Sequence, residues 1–209
     1  MTKVKICGVN SADAMDAVVE SGADWLGFVF FARSPRCVTA QAAASLAARH
    51  DGGPLRVGLF VAPHDDDIAR VLDVVSLDIL QLYAPAPRVA ELRGRFGLPV
   101  WRGVGVSVAG DLPHHTDGAD ALLIEAKPPK NATRPGGNAV RFDWDILAGW
   151  RPGFDWLLAG GLTLTNVAEA VTRSGAPAVD LSSGVESAPG VKDPALIRAF
   201  VLAAKRLGA

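Results

Sequence analysis

The chain has 209 residues, 49% of them hydrophobic, with 21 basic and 22 acidic side chains and a net charge of -1. That balance excludes the broad cationic face needed for nucleic acid or an anionic membrane, while leaving room for a small local cationic site. No apolar run reaches membrane-spanning length. Two cysteines, Cys7 and Cys37, without a CxxC, fit a reducing compartment better than a disulfide framework. The N-terminus lacks the basic-then-apolar pattern of a signal peptide, so a soluble, cytoplasmic protein is expected.

Lys3 to Cys7 alternate polar and apolar side chains before Gly8 breaks the run, which predicts a first strand. Lys3, Lys5 and Cys7 then share one face, and Val4 and Ile6 the other. Ser11 caps a helix to Ser21 with Ala14, Ala17 and Val18 as its apolar stripe, and Gly22 stops it. Residues 24–30 predict the second strand, followed by a loop with Ser34-Pro35-Arg36 and an Ala-rich helix capped by Thr39 that runs to His50. The third strand is expected over 56–61, a helix over 65–74, and the fourth strand over 77–82. Pro87 opens a helix to Phe96, closed by Gly97. The fifth strand covers 99–104, but Ser107 to Gly118, with Gly110 and Pro113, is too broken for a good helix.

The sixth strand is expected over 119–125, then a long loop from Lys127 to Ala139 and a short helix over 142–147. The seventh covers 156–159 and ends in Gly160-Gly161; Thr165 caps a helix to Ser174. The eighth covers 178–181, and Asp193 caps a last helix ending near Leu207. Eight strands alternating with seven or eight helices, in a repeat of roughly 25 residues, predict a parallel sheet with right-handed crossovers. The expected fold is α/β: one (β/α)8 TIM-barrel domain over residues 1–209, compact, with the helix after strand five reduced. A doubly wound open sheet is the alternative, but no GxGxxG follows any strand.

Sites in parallel α/β folds form at the carboxyl ends of strands, which selects the candidates. Cys7 ends strand one, with Lys5 on its face: a nucleophile or base, or else a small buried core residue. Glu125 ends strand six and faces the same mouth: a general acid with a raised pKa, or a salt-bridge partner of Lys127. Gly160-Gly161 and Ser182-Ser183-Gly184 follow strands seven and eight, where barrels often bind phosphate through backbone N–H groups and hydroxyls, although both are also ordinary tight turns. Arg36 can grip a carboxylate or phosphate with two prongs, or sit solvated at the surface. Strand eight neighbours strand one in a closed barrel, so Asp180 can pair with a buried Lys5 and bias Cys7 toward thiolate; Gln81 is a similar inward polar residue. The four histidines, His50, His64, His114 and His115, lack ligand spacing, and no metal site is expected.

With these residues placed, the chain resembles the phosphoribosylanthranilate isomerases of tryptophan biosynthesis, nearly end to end. Lys5-Ile6-Cys7-Gly8 is similar to the family's opening motif, and Gly27-Phe28-Val29-Phe30 with Ser34-Pro35-Arg36 to its second. Pro135-Gly136-Gly137-Asn138 through Trp144 is similar to its loop after strand six, and Leu158 through Leu162 with Asn166-Val167 to its loop after strand seven. Asp180 through Glu186, then Lys192-Asp193, matches its closing motif.

The resemblance implies an Amadori rearrangement by general acid–base catalysis on a phosphorylated small molecule. It implies no cofactor, and the partners exclude nucleic acid and membrane; the state expected is monomer or homodimer. It makes Cys7 the base, Glu125 the acid, Arg36 the holder of the anthranilate carboxylate, and the Gly160-Gly161 and Ser182-Ser183-Gly184 turns the phosphate site. The chain differs from the family pattern at three points. Glu125 stands where Asp is usual, Gln81-Leu82-Tyr83-Ala84 replaces Gln-Leu-His-Gly, and Ala139 replaces the last glycine of the loop after strand six. The rival readings are a barrel isomerase for another aminosugar phosphate and a non-catalytic binder of phosphorylated ligands.

Overall fold

The structure is a computed structural model describing residues 1–127 and 143–207. Eight strands, β1 (Lys3–Cys7), β2 (Trp25–Val29), β3 (Leu55–Val61), β4 (Ile79–Tyr83), β5 (Val100–Val106), β6 (Ala121–Ala126), β7 (Asp155–Leu158) and β8 (Ala178–Leu181), close in sequence order into a barrel. The closing seam is parallel, from Lys3 opposite Ala178 to Ile6 opposite Leu181. It rules out the open doubly wound sheet.

Six α-helices stand among the described residues: α1 (Ala12–Glu20), α2 (Ala40–Ala47), α3 (Asp65–Leu72), α4 (Ala86–Phe96), α5 (Val167–Ser174) and α6 (Pro194–Lys205). As the broken sequence implied, β5 is followed only by a 3₁₀ turn at Ala109–Asp111, and another turn, Trp144–Leu147, precedes β7. Ser11, Thr39 and Asp193 cap α1, α2 and α6 through their side-chain oxygens. Thr165 does not cap α5. Its hydroxyl lies 3.0 Å from that of Thr163, and the helix starts later, after Asn166. A short hairpin, β9 (Glu186–Ala188) with β10 (Val191–Lys192), leads into α6.

Period-two alternation sorts the strand side chains into two cores. Outward residues such as Ile6, Leu26, Leu80 and Val179 pack against Met15, Ile68, Leu92 and Phe200 of the helices. Inward residues Val57, Ile79, Trp101, Leu123 and Leu157 fill the barrel floor, where Trp25 and Trp101 meet edge to face at 5.1 Å. A thin upper layer of Cys7, Val29 and Leu59 underlies the mouth. Among the described residues no helix is long and apolar enough to cross a membrane.

Candidate active site

The carboxyl ends of the strands open on a cavity whose lining includes Cys7, Arg36, Gln81, Glu125, Gly160, Gly161, Asp180, Ser182 and Ser183. The strand-end rule therefore gathers residues up to 176 positions apart, from Cys7 to Ser183, around one space. Of the sequence-predicted residues, Lys5 and Gly184 do not line it.

Lys5 is fully buried and donates to Asp180 Oδ1 at 2.7 Å, the pairing expected of neighbouring strands. Its Nζ and the Cys7 Sγ both lie 3.2 Å from where a Cβ would stand at Gly27, so the two groups sit side by side over that glycine. Burial alone would pull the Lys5 ammonium down, but Asp180 and Cys7 outweigh it and leave its pKa raised. Cys7 does not follow the expected bias toward thiolate. Burial pushes its thiol up, and the negative Asp180 offsets part of the downward pull of Lys5. The ammonium can still hold a thiolate once one forms.

Glu125 is 5% exposed, and burial raises its carboxyl to about 8. Lys127 is exposed, and the group that pulls this carboxyl part of the way back down is the Tyr83 phenol, which lines the same cavity. At neutral pH the group is a carboxylic acid, the state a proton donor needs. Beneath Tyr83 on the same face of β4, Gln81 is fully buried, with neither side-chain polar atom bonded among the described residues. A buried amide of that kind suits a polar ligand group.

Gly160 and Gly161 hold φ of +90° and +66°, a backbone that L side chains rarely adopt. Asn166 fixes their turn, accepting from Thr163 N at 2.8 Å and donating to Gly161 O at 3.0 Å. Gly184 serves close packing. A Cβ there would collide with the Leu162 carbonyl, so the glycine lets the turn after β8 touch the turn after β7. The Ser182 hydroxyl donates to the Cys7 carbonyl at 2.9 Å, tying that turn to β1.

Arg36 is not a solvated surface arginine: it is 4% exposed. Its Nε and Nη2 donate to the two oxygens of Glu186 at 2.6 and 2.8 Å. Lys192, also buried, donates to Glu186 at 2.7 Å, to the Ser182 carbonyl at 2.8 Å and to its hydroxyl at 3.0 Å. Burial works to raise the Glu186 carboxyl, but the two cations overcome it and hold it at about 2. Two cations against one anion leave a surplus positive charge beside the cavity.

Tyr83, Asn166, Glu186 and Lys192 were not singled out as site residues from the sequence. All four lie inside or beside recognisable motifs, but their partners are distant in the chain or across a turn, and no local spacing signals them. Pro135–Asn138 and Ala139 lie outside the described residues. No group of three or more His, Cys, Asp or Glu that could hold a metal occurs among the described residues.

Comparison with known proteins bears on this arrangement. Residues 4–203 match the family model described as N-(5′-phosphoribosyl)anthranilate (PRA) isomerase. The N-(5′-phosphoribosyl)anthranilate isomerase of Granulibacter bethesdensis is 56% identical over 206 residues, covering 98% of this chain and 99% of the relative. The crystal structure of TrpF from Jonesia denitrificans superposes with a TM-score of 0.84 at 35% identity, over 100% of this chain and 99% of that one. A phosphoribosyl anthranilate isomerase in complex with reduced 1-(o-carboxyphenylamino)-1-deoxyribulose 5-phosphate superposes at 0.81 and 32% identity, over 99% and 100% of the two chains. A closed barrel with these residues at its mouth, matched over nearly its whole length, belongs to the N-(5′-phosphoribosyl)anthranilate isomerase family.

Proposed function

We propose that the barrel mouth catalyses the Amadori rearrangement of N-(5′-phosphoribosyl)anthranilate to 1-(2-carboxyphenylamino)-1-deoxyribulose 5-phosphate, with Glu125 as acid and Cys7 as base. The observation that carries the assignment of roles is that a neutral carboxyl group and a lysine-supported thiol line one cavity, from β6 and β1. Glu125 protonates the ring oxygen, the bond from C1 to that oxygen breaks, and an iminium forms between C1 and the aniline nitrogen. Cys7, having released its proton to solvent to give the thiolate that Lys5 supports, takes the proton from C2, the C–H electrons move into a C1–C2 double bond, and the iminium is neutralised as an enolamine. The enolamine becomes the ketone when its hydroxyl proton moves to C1. One proton enters at oxygen and one leaves at C2, so the reaction needs no electron carrier.

Gly160, Gly161, Ser182, Ser183 and Gly184 are read as the phosphate turns, with Ser182 and Gly184 shaping them through the contacts described above. Arg36 keeps Nη1 outside its bond to Glu186, and with Lys192 it supplies the surplus charge for the anionic substrate. Lys5, Asp180 and Gln81 support the reacting groups from below. The balanced charge and unpaired cysteines favour a cytoplasmic enzyme, monomeric or homodimeric, without nucleic-acid or membrane partners.

The test follows the fluorescence of freshly made phosphoribosylanthranilate with the wild type and Glu125→Gln. Loss with the wild type that collapses in the variant is expected. Loss in both would move the acid elsewhere, and no loss above the spontaneous background would remove the activity.

A further inference from the structure

The inward positions of β5 above Trp101 are Gly103 and Gly105, and Gly105 lies in register with Glu125 on β6. Two successive inward glycines leave the face of this strand bare. Tyr83, at the end of β4, fills part of that space. A Cβ at Gly103 would collide with the ring's Cε1 and would meet Cδ1 at 2.7 Å and Cζ at 2.9 Å. Tyr83 and Glu125, two strands apart, thus line the same cavity, and the phenol pulls the Glu125 carboxyl down as a nearby donor does.

We propose that Tyr83 is a positioning residue for the acid: its phenol reaches from β4 across the glycine face of β5 and holds one oxygen of Glu125, so that the other presents its proton to the cavity. This deepens the function proposed above and rests on Glu125 being the acid.

The oxygens of a carboxylic acid are not equivalent; one is a carbonyl and one carries the proton. A fixed O–H donor pairs with the carbonyl oxygen, which leaves the protonated oxygen to face the substrate. Tyr83 can keep that role throughout the working range, since burial and then the neighbouring Glu125 hold its phenol well above its ordinary pKa. A glutamate arm has three torsions, and an untethered one would spread its proton over several rotamers. The groups acting on Glu125 are Tyr83 from β4, Asp180 from β8 and Lys5 from β1, and of the three Tyr83 has the largest effect. Because the proposed phenol–carboxyl bond favours the ionised carboxylate, its removal raises the Glu125 pKa.

The experiment compares Tyr83→Phe with the wild type, with Glu125→Gln as reference and with folding checked by circular dichroism. In Tyr83→Phe, kcat is expected to fall by about 10- to 100-fold with KM nearly unchanged, and the alkaline limb of kcat to move to higher pH. The ¹³C signal of the labelled Glu125 carboxyl, assigned by its loss in Glu125→Gln, should titrate at higher pH in Tyr83→Phe. An unmoved limb or titration, with Glu125→Gln inactive, overturns the role of Tyr83 and leaves the acid in place. Full turnover in Glu125→Gln overturns both. A second pair guards against a general structural effect: in Glu125→Asp the shorter arm falls back from the phenol, so adding Tyr83→Phe should change kcat little. Fully additive losses would overturn the proposal.

Discussion

Glu125→Gln should separate the stability of this barrel from its activity. Glu125 is 5% exposed, and burial moves its carboxyl from 4.5 to about 8. Between those values the folded chain keeps a proton that the unfolded chain has released. Stability therefore falls as pH rises from 4.5 to about 8 and levels off above it. Each pH unit in that window is worth about 1.4 kcal/mol, so the penalty approaches about 5 kcal/mol when Glu125 is fully ionised. Glutamine keeps the shape and an oxygen for the Tyr83 phenol but cannot ionise. The variant should exceed the wild type in unfolding free energy by less than about 1 kcal/mol at pH 5 and by about 4 kcal/mol at pH 8. Urea unfolding followed by the fluorescence of the five tryptophans measures this directly. The groups common to both proteins cancel in the difference. A difference that stays flat, or shrinks, between pH 5 and 8 would refute the reasoning. On the proposed role of Glu125 as the acid, the gain should come with loss of turnover.

Cys7→Ala should lower kcat by about 1000-fold while the melting temperature shifts by only a few degrees, read by the fluorescence assay and calorimetry. Glu186→Gln removes the anion between buried Arg36 and Lys192 and should destabilise the fold by about 3 kcal/mol or more in urea. Gln81→Leu replaces a buried amide with no bonds among the described residues, so it should stabilise by about 1 kcal/mol while lowering kcat/KM; unchanged kinetics would deny Gln81 a ligand. Gly103→Ala crowds the Tyr83 ring and should shift the alkaline limb of kcat as Tyr83→Phe does.

The elements were legible because each signal is local. Lys3–Cys7 alternates within five residues, Ser11, Thr39 and Asp193 cap through the next turn, and Pro113 with Gly110 breaks the helix after β5. Thr165 does not cap α5 because the turn keeps both polar side chains: its hydroxyl meets that of Thr163, and the Asn166 amide bonds Thr163 N and Gly161 O instead of the helix. The strand-end rule also picked out many of the residues that line the mouth cavity, since closing a parallel barrel brings every strand's carboxyl end to one mouth.

By itself, the sequence determined that this chain is an alternating parallel barrel, that Cys7, Glu125 and the two glycine turns share a mouth, and which family it resembles. Tertiary structure alone decided the ionisation of those groups and the company they keep. A pKa depends on dielectric and on neighbours in space. Burial among β4, β5 and β6 raises the Glu125 carboxyl, and burial raises the Cys7 thiol against the pull of Lys5. Arg36 is fixed rather than solvated because Glu186, 150 residues away, folds back through β9 to meet it. Such pairings arise from closure of the barrel and its last hairpin, so no short window of sequence contains both partners.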